Sequence, residues 1–453
     1  MGSRLVVIGG GAAGMSAASA ARRDDPHLEI VVLETGPDVA YGLCGIPYYL
    51  SGEVARADQL LAYPPEVFRD RRRIDVQTGA TALSLDPERH SLRVTQHGEE
   101  RTVNYHRLIV AAGGAPVLPP LPGLDDDLVF TVRSLEDAVA LRSLLDAGRI
   151  GRALVVGGGY VGLEMAEALR TRGVSVTVVE MLDQVMPNLD GPLAALVEKE
   201  LLRHDVDLRL ATGLERVVRD VDGLHAVVGG EVIDVDAVVV AVGVRAAGGL
   251  AAQAGAATGP GGALTVDDRM RTSLPDVYAC GDCIAPYHRV LGRPAFVPLG
   301  PAANKTGRVA GTVAAGGDAQ FNGIVGTAVV KVFDLAVART GLTMAEAEAE
   351  GLSPVATDVE GRSRAKYYPG AQPVTVRLVH GVAGRLLGAQ MVGNDGVAKR
   401  IDVVAAALQA GFDVDDLADL DLSYAPPYAP VYEPILLAAQ RASSTLHQQP
   451  VPA

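Results

Sequence analysis

The sequence contains the same glycine-rich unit twice. Each copy has a strand, a turn of the form G-x-G-x-x-G, a helix of mostly small residues, and a second strand that ends in a glutamate. In the first copy these are residues 4–8, the turn GGGAAG, residues 15–23, residues 29–33 and Glu34; in the second they are ALVV from Ala153, GGGYVG, LEMAEALRTRG, VSVTVV and Glu180. Two β-α-β units of this kind predict two Rossmann-like dinucleotide-binding domains.

Each glycine of the motif has a physical task. Gly9 allows the tight turn, Gly11 lets the backbone approach a pyrophosphate, and Gly14 lets the helix pack on the strand. The N-terminus of the following helix then faces the anion. The residues predicted to form the two pyrophosphate sites are Gly9, Gly11, Ala12, Ala13 and Gly14 in the first copy, and Gly157, Gly159, Tyr160, Val161 and Gly162 in the second.

The glutamate at the end of each unit is predicted to bind the ribose of its cofactor. Glu34 and Glu180 follow their motifs at the distance expected of an acid that accepts a hydrogen bond from a ribose hydroxyl. The residues after Glu180 are Met181, Leu182 and Asp183, which offer no cation for a 2′-phosphate. The sequence therefore favours NADH over NADPH at the second site, although a basic residue from elsewhere would open the site to NADPH.

Two dinucleotide sites in one chain indicate electron transfer between two cofactors, typically a flavin and a nicotinamide. In TSLPDVYACGD a strand leads to Asp282, and this segment resembles the one whose aspartate holds the ribityl chain of a flavin. The glycine turns of LIVAAGGAP and VVVAVGVRA are predicted to border the two sites through Ala112, Gly113 and Gly243. FAD is expected at the first unit and NADH at the second.

Such turns also mark where the chain leaves one domain for another. The predicted fold class is α/β, with an FAD-binding domain over residues 1–113 and 246–322, an NAD(P)H-binding domain over 114–245, and a C-terminal α+β domain over 323–453. In the C-terminal domain, strands are predicted in the segments FNGIVGTAVVKVFDLAVARTG, VTVRLVH and LLGAQMVG. An amphipathic helix is predicted from about Val397 to Gly411. SYAPPYAPVYEPILLAAQ reads as an extended stretch followed by a helix.

Composition excludes several classes of protein. A formal charge of -14 argues against nucleic acid as a partner, and no apolar run is long enough to cross a bilayer. The N-terminus lacks the pattern of a signal peptide, and an odd total of 3 cysteines suits the reducing cytoplasm. The histidines show no metal-ligand spacing, and CGDC has no second cysteine pair, so no metal is expected.

The stretch AYGLCGIPYYLSGE contains Cys44 without a second cysteine. Pro47 is placed to open a helix, so Cys44 is expected near a helix N-terminus, which lowers the pKa of a thiol. The alternative for an isolated cysteine is an inert buried side chain.

Taken together, these motifs resemble the flavoprotein pyridine nucleotide-disulfide oxidoreductases, and within them the branch with a single redox cysteine. That branch includes coenzyme A (CoA) disulfide reductase, CoA persulfide reductases, NADH oxidase and NADH peroxidase. The resemblance makes Cys44 the redox centre, which pairs with a sulfur from outside or is oxidised to a sulfenic acid. Oxidases and peroxidases of this branch carry a histidine at the position of Ala12, so the resemblance is greatest to the CoA disulfide and persulfide reductases.

The same resemblance implies that the C-terminal domain forms a homodimer. KYYPGAQP and YAPPYAP resemble segments that supply two tyrosines to the partner subunit, so Tyr367 and Tyr424 would protonate the leaving thiolate, with Tyr368 as an alternative to Tyr367. The alternative explanation for these tyrosines is rigid packing of the loops.

The expected substrate is a disulfide or persulfide of a small thiol, with CoA disulfide first. CoA is anionic, so basic residues must bind it, and the candidates are Arg22, Arg23, Arg71 and Arg72. Ala40 and Leu43 replace polar residues of the known CoA disulfide reductases, which leaves persulfides and other small disulfides open. The alternatives are an NADH oxidase and a flavoprotein that passes electrons to a protein partner.

Overall fold

The two strands of the first glycine-rich unit have the predicted bounds, but its helix spans Ala12–Asp24 instead of the predicted residues 15–23. The computed structural model describes residues 3–448. The first part of the chain contains β1 (Arg4–Ile8), α1 (Ala12–Asp24), β2 (Glu29–Leu33), α2 (Ile46–Ser51), α3 (Pro65–Arg72), β3 (Asp75–Gln77), β4 (Ala80–Asp86), β5 (Ser91–Gln96), β6 (Glu99–Asn104) and β7 (Arg107–Val110).

The second unit follows without a long linker. Its elements are β8 (Gly114–Pro116), β9 (Val129–Phe130), α4 (Leu135–Asp146), β10 (Arg152–Val156), α5 (Tyr160–Thr171), β11 (Ser175–Val179), α6 (Gly191–Arg203), β12 (Asp207–Arg209), β13 (Leu214–Arg219), β14 (Leu224–Val228), β15 (Glu231–Val235), β16 (Ala237–Val240) and β17 (Val244–Ala246).

The rest of the chain begins with a short connection and ends in a mixed domain. Its elements are α7 (Gly249–Gln253), β18 (Val277–Ala279), β19 (Tyr287–His288), β20 (Arg293–Pro294), α8 (Gly300–Ala314), β21 (Ala328–Val332), β22 (Leu335–Gly341), α9 (Met344–Ala349), β23 (Pro354–Arg362), β24 (Pro373–Gly381), β25 (Leu386–Gly393), α10 (Val397–Ala410), α11 (Val414–Ala418) and α12 (Pro434–Gln448).

Two parallel five-stranded sheets carry the two units. The first has the order β18-β7-β1-β2-β3 and the second the order β12-β11-β10-β16-β9. In each, the glycine turn follows a central strand, so the helix after it begins at the carboxyl edge of the sheet, where dinucleotides bind. The predicted α/β class with two Rossmann-like domains is therefore confirmed.

The first sheet is built from two separated stretches of chain. β18 pairs in parallel with β7, although the whole second unit lies between them in sequence. Helix α8 then returns along α1, and the two helices approach closely because α8 carries glycines at the crossing. A Cβ on Gly307 would lie 2.2 Å from the carbonyl oxygen of Ala13, and one on Gly311 would lie 2.0 Å from that of Ala17. The predicted boundaries at 113, 245 and 322 stay a prediction.

The C-terminal part is an antiparallel sheet covered by helices. The strand order is β21-β22-β25-β24-β23, and α10 and α12 pack on its buried face. The predicted α+β character is confirmed, including the helix that begins at Val397 and the helix after the proline-rich stretch.

Buried polar contacts hold the second unit against the C-terminal sheet. The side chain of Gln390 accepts a hydrogen bond from the amide nitrogen of Asp190 at 2.6 Å and donates one to its carboxylate at 2.7 Å. Arg339 donates to the carbonyl oxygen of Asn188 at 2.8 Å. Because these groups are buried, the contact is specific in orientation. Over residues 3–448, no helix is both long and apolar enough to span a membrane.

Candidate active site

The first glycine turn forms a cradle that a side chain would close. Gly9 has a φ of +100°, and a Cβ there would lie 2.2 Å from the carbonyl oxygen of Ala111. A Cβ on Gly14 would lie 1.9 Å from the carbonyl oxygen of Gly9, whereas one on Gly11 would meet no atom within 4 Å. The predicted tasks of these glycines therefore agree with the geometry, and Gly11 borders open space at the start of α1.

The second turn repeats this geometry. A Cβ on Gly157 would lie 2.6 Å from the carbonyl oxygen of Ala241, one on Gly162 would lie 1.9 Å from that of Gly157, and one on Gly159 would meet nothing within 4 Å. Neither α1 nor α5 has a side-chain cap or an acidic residue in its first turn. The backbone N–H groups of both first turns, including those of Ala12, Ala13 and Val161, suit a pyrophosphate.

The two terminal glutamates are held by backbone hydrogen bonds. Glu34 accepts from the amide of Gly10 at 2.6 Å and from that of Gly36 at 2.8 Å. Glu180 accepts in the same way from Gly158 at 2.8 Å and from Leu182 at 3.0 Å. Each carboxylate is thus fixed beside its own glycine turn, where it can accept a hydrogen bond from a ribose.

Asp282 lies beside the first turn because β18 ends there. A Cβ on Gly281 would lie 2.7 Å from the Cβ of Ala13, so the segment that carries Asp282 is in contact with the start of α1. Ala112 borders the turn at Gly9, and Gly243 lies two residues beyond the contact of Gly157 with Ala241. The residues predicted for FAD and NADH thus form two separate groups, one for each sheet.

Cys44 is exposed and lies in a single turn of 3-10 helix at Leu43–Gly45. Helix α2 follows immediately, with Pro47 in its first turn, as the sequence predicts. The alternative of an inert buried cysteine does not fit this exposure.

The pKa of the Cys44 thiol, however, is raised rather than lowered. Surrounding protein atoms are the largest cause, because they remove part of the hydration of the thiolate. The carboxylates of Glu164 and Asp282 raise the pKa further, while Arg133 and a backbone hydrogen bond lower it. The expected lowering by a helix N-terminus is outweighed, since α2 has only 6 residues and the helix dipole grows with aligned peptide units.

Glu164 is a site residue that the motif analysis does not single out. It lies on α5, and its Oε1 accepts a hydrogen bond from the hydroxyl of Tyr48 at 3.5 Å. Burial raises the pKa of Glu164 to about 7, and burial together with Glu164 raises the pKa of Tyr48 to about 12. The two groups line a narrow cavity of about 10 Å³ between α2 and α5. The sequence contains one sign of this residue, namely an acidic residue among the apolar residues of LEMAEA.

Replacing Glu164 by Gln should lower the pKa of the Cys44 thiol. Above pH 7 the Glu164 carboxylate is charged and opposes the thiolate, so E164Q removes that repulsion. The alkylation rate of Cys44 by iodoacetamide near pH 8 should therefore rise several-fold. Cys280 and Cys283 are fully buried, so the reaction reports Cys44. E167Q is the control, because Glu167 is already paired with Lys331; an unchanged or higher pKa in E164Q would contradict the assignment.

The structure brings Tyr367 and Tyr424 together. Their hydroxyl oxygens lie 3.4 Å apart, and both side chains are exposed, by 76% and 48%. This hydrogen bond is the largest cause of a raised pKa of Tyr424. Within residues 3–448, no hydrogen bond joins either hydroxyl to Cys44 of the same chain. The geometry favours Tyr367 over Tyr368 as the partner of Tyr424.

The predicted substrate arginines divide into two kinds. Arg22 donates to the carbonyl oxygens of Arg72, Asp25, Pro26 and Arg73, and Arg72 donates to Ser19 and stacks on Tyr63 and Phe68. Arg23 and Arg71 are exposed. The first two therefore stabilise the local fold, and only the exposed pair is free to contact an anion; their role in binding stays a prediction.

One group of side chains has metal-ligand atoms within 4.8 Å of one another, namely Glu200, His204 and Asp334. The guanidinium of Arg203 already forms ion pairs with Glu200 and Asp334. It also lies 2.9 Å from the ring of His204. This group is an ion-pair network in the structure, and the prediction that the protein needs no metal stays a prediction.

The site contains two dinucleotide cradles, an aspartate beside the first cradle, and an exposed cysteine. These features define an oxidoreductase that uses two dinucleotide cofactors. The comparisons identify its family. The pyridine nucleotide-disulphide oxidoreductase model matches residues 3–309, and the model of the dimerisation domain of that family matches residues 327–434. The chain belongs to the pyridine nucleotide-disulphide oxidoreductase family, which uses FAD and NAD(P)H.

Relatives of this chain carry several different functional names. It is 36% identical over 445 residues to an NADH oxidase of Methanocaldococcus jannaschii, covering 98% of this chain and 99% of the relative. It is 31% identical over 430 residues to a coenzyme A disulfide reductase of Staphylococcus aureus, covering 94% and 96%. The structure of an NAD-dependent persulfide reductase from A. fulgidus matches with a TM-score of 0.95 and 40% identity, covering 98% of this chain and 83% of that one. The predicted resemblance is confirmed.

Proposed function

We propose that this protein reduces a disulfide or persulfide of a small thiol, with a CoA derivative as substrate and NADH as electron donor. The observation that carries the proposal is the exposed Cys44, which has no second cysteine beside it. An attacking sulfur without a resolving partner must form its mixed disulfide with the substrate. Relatives named for CoA disulfide and for persulfide reduction support this reading.

A cofactor pair held at the two glycine turns beside Glu34 and Glu180 would supply two electrons from a nicotinamide to sulfur. The Cys44 thiolate attacks the substrate disulfide, forms a Cys44–S–S–R bond and releases one thiolate, RS⁻. That thiolate takes a proton that comes from solvent, and two electrons together with the proton that the hydride of NADH carries then cleave the mixed disulfide to the Cys44 thiolate and a second thiol. The sum is NADH + H⁺ + RSSR → NAD⁺ + 2 RSH, so one proton must be supplied from solvent in each turnover.

Tyr424 is the proposed donor to the leaving thiolate. Its hydroxyl is exposed and accepts or donates a hydrogen bond with Tyr367, which orients it. Because no hydrogen bond joins either hydroxyl to Cys44 over residues 3–448, we propose that both tyrosines act on the Cys44 of a second subunit in a homodimer. The match of residues 327–434 to a dimerisation domain supports this arrangement.

The preference for NADH is proposed from the surroundings of Glu180. A carboxylate fixed at this place repels a 2′-phosphate. Arg209 ends the adjacent strand, but its guanidinium pairs with Asp207 and Glu231, each at 3.0 Å. These carboxylates compete with a 2′-phosphate for this arginine.

An NADH oxidase is the second candidate, because a relative with 36% identity carries that name. Cys44 would then be oxidised to a sulfenic acid and reduced again. Against this, Ala12 provides no proton donor in the first glycine turn. The passage of electrons to a protein partner is the third candidate, and for it Cys44 would be dispensable.

The experiment that decides is a substrate panel. Purified holoenzyme is given NADH or NADPH without oxygen, together with CoA disulfide, CoA persulfide, glutathione disulfide or polysulfide. We expect the highest kcat/KM with a CoA substrate and with NADH. Rapid NADH oxidation that requires only oxygen would identify the oxidase instead, and a uniformly low rate with all four sulfur substrates would contradict the proposal.

A further inference from the structure

Two loops carry the paired tyrosines. Tyr367 lies in the loop between β23 and β24, residues 363–372, and Tyr424 lies in the loop between α11 and α12, residues 419–433. The loops touch through one backbone hydrogen bond, from the amide of Ala365 to the carbonyl oxygen of Pro426 at 3.2 Å. The tyrosine rings are exposed, so ring packing alone does not fix the distance between the two hydroxyls.

A buried arginine joins the bases of both loops. Arg400, on α10, pairs with Glu433 through two hydrogen bonds, one from Nε to Oε1 and one from Nη2 to Oε2 at 3.0 Å. The same Nη2 donates to the carbonyl oxygen of Ser363 at 2.9 Å. Ser363 begins the Tyr367 loop and Glu433 ends the Tyr424 loop. One guanidinium therefore contacts the first residue of the Tyr367 loop and the last residue of the Tyr424 loop.

The site of Arg400 is built for a guanidinium. Arg400 and Glu433 are only 8% and 7% exposed, and Ser363 is 2% exposed. Nη1 donates to the carbonyl oxygen of Gly396 at 3.1 Å. Gly396 has a φ of +77°, and a Cβ on it would lie 2.0 Å from Nη1. A buried charge that is paired and hydrogen-bonded on every side specifies geometry, because no alternative arrangement satisfies it.

Further hydrogen bonds fix the residues at which the two loops begin and end. Ser363 donates its amide to the carbonyl oxygen of Gln372 at 2.8 Å and accepts from the amide of Gln372 at 3.1 Å. A shift of Ser363 would therefore move the whole Tyr367 loop. The carbonyl oxygen of Glu433 accepts from the amide of Leu437, which joins the end of the second loop to α12.

We propose that Arg400 is a positioning residue for the sulfur reaction, and that it holds the hydroxyls of Tyr367 and Tyr424 in the geometry that delivers a proton to the leaving thiolate. This inference rests on the proposed function. Arg400 touches neither substrate nor cofactor, and it acts through the two loops. The step itself moves one proton from the Tyr424 hydroxyl to the sulfur of the leaving thiolate, and the phenolate regains a proton from water.

The test compares R400K, Y424F and the double variant R400K/Y424F as holoenzymes. Lysine keeps the charge but cannot bond Glu433 and Ser363 as a planar fork. We expect R400K to lower kcat with CoA disulfide by about tenfold or more, since small displacements of a reacting group have large effects on rate. NADH oxidation with ferricyanide, which needs neither tyrosine, should stay within about twofold of the wild type.

Two readouts separate positioning from general loss of structure. With dithiobis(nitrobenzoate), whose leaving thiolate is a stable anion at neutral pH, R400K should react at nearly the wild-type rate because no proton is needed. In the Y424F background, R400K should have little further effect, because both changes remove the same contribution. R377K is the matched control: Arg377 is a buried arginine on β24 that pairs with Asp358 and Asp190, neither of which lies in the two tyrosine loops.

Each outcome has one meaning. If Y424F leaves the rate with CoA disulfide unchanged, the proposed function of Tyr424 is wrong and the inference falls with it. If Y424F slows the reaction but R400K does not, or if the two effects multiply, the inference about Arg400 is overturned while the function of Tyr424 stands. If R400K loses ferricyanide reduction, E433Q decides in its place, because glutamine keeps the volume and one acceptor oxygen but replaces the other oxygen by an NH2 group that cannot accept from Arg400.

Discussion

We expect the replacement of Cys44 by Ser to lower the proposed reduction of CoA disulfide or CoA persulfide by about a thousandfold or more, and to leave the reduction of ferricyanide by NADH intact. The hydroxyl of serine cannot form the mixed disulfide that the reaction requires, and an alkoxide is not populated near neutral pH. Steady-state rates with the two acceptors measure both halves of the reaction on one sample.

C283S is the matched control for this experiment. Cys283 is fully buried, its Sγ donates to the carbonyl oxygens of Val110 and Cys280, and burial raises the pKa of its thiol to about 11. A serine fits the same hydrogen bonds, so sulfur reduction should persist in that variant. If C44S retained most of its disulfide activity, electron transfer to a protein partner would be the better reading of the site.

The glycine motifs made most of this fold predictable. The strands at Arg4–Ile8 and Glu29–Leu33 have the predicted bounds, because a buried parallel strand is an apolar run that a glycine turn ends sharply. The helix of the second unit begins at Tyr160 rather than at Leu163, since the first turn of a helix after such a motif contains the motif itself. The C-terminal helix from Val397 was also predicted, because its apolar residues recur with helical spacing.

The small antiparallel sheets were not predicted. β4 to β6 and β13 to β15 carry many charged and polar residues on exposed faces, so their alternation is weak in the sequence. β23 was missed for the same reason, as its residues alternate between half-buried and exposed positions. These strands supply none of the predicted site residues.

Within the site, the sequence predicts contacts that one motif contains and misses those that tertiary structure creates. Glu34 and Glu180 end strands within their motifs, and their placement beside the glycine turns follows from the β-α-β fold. The raised pKa of Cys44 comes first from burial by the surrounding fold and then from Glu164 and Asp282, which lie on other elements far along the chain. The contact of Arg400 with Ser363 and Glu433 likewise joins three separated segments.

The shared-site model makes a second large prediction, which concerns subunit mixing. A C44S chain and a Y424F chain are each impaired in sulfur reduction. If Tyr424 acts on the Cys44 of the partner, a mixed dimer has both changes in one site and neither in the other. With equal amounts and random exchange, half of the dimers are mixed and half of their sites are intact, so about a quarter of the wild-type activity should return.

If Tyr424 instead acts on the Cys44 of its own chain, every site in a mixed dimer contains one change, and mixing restores nothing. The structure favours the first outcome, because the hydroxyls of Tyr367 and Tyr424 are paired with each other, exposed, and without a hydrogen bond to Cys44 in the chain described over residues 3–448. Differently tagged chains show that exchange has taken place, and ferricyanide reduction shows that each parent is folded and carries its cofactor. Verified exchange without any gain of activity would contradict a site built from two subunits. A gain near one quarter would place Tyr424 of one subunit beside the thiol that its partner supplies, and the surface formed by the two tyrosine loops would then be part of the dimer contact.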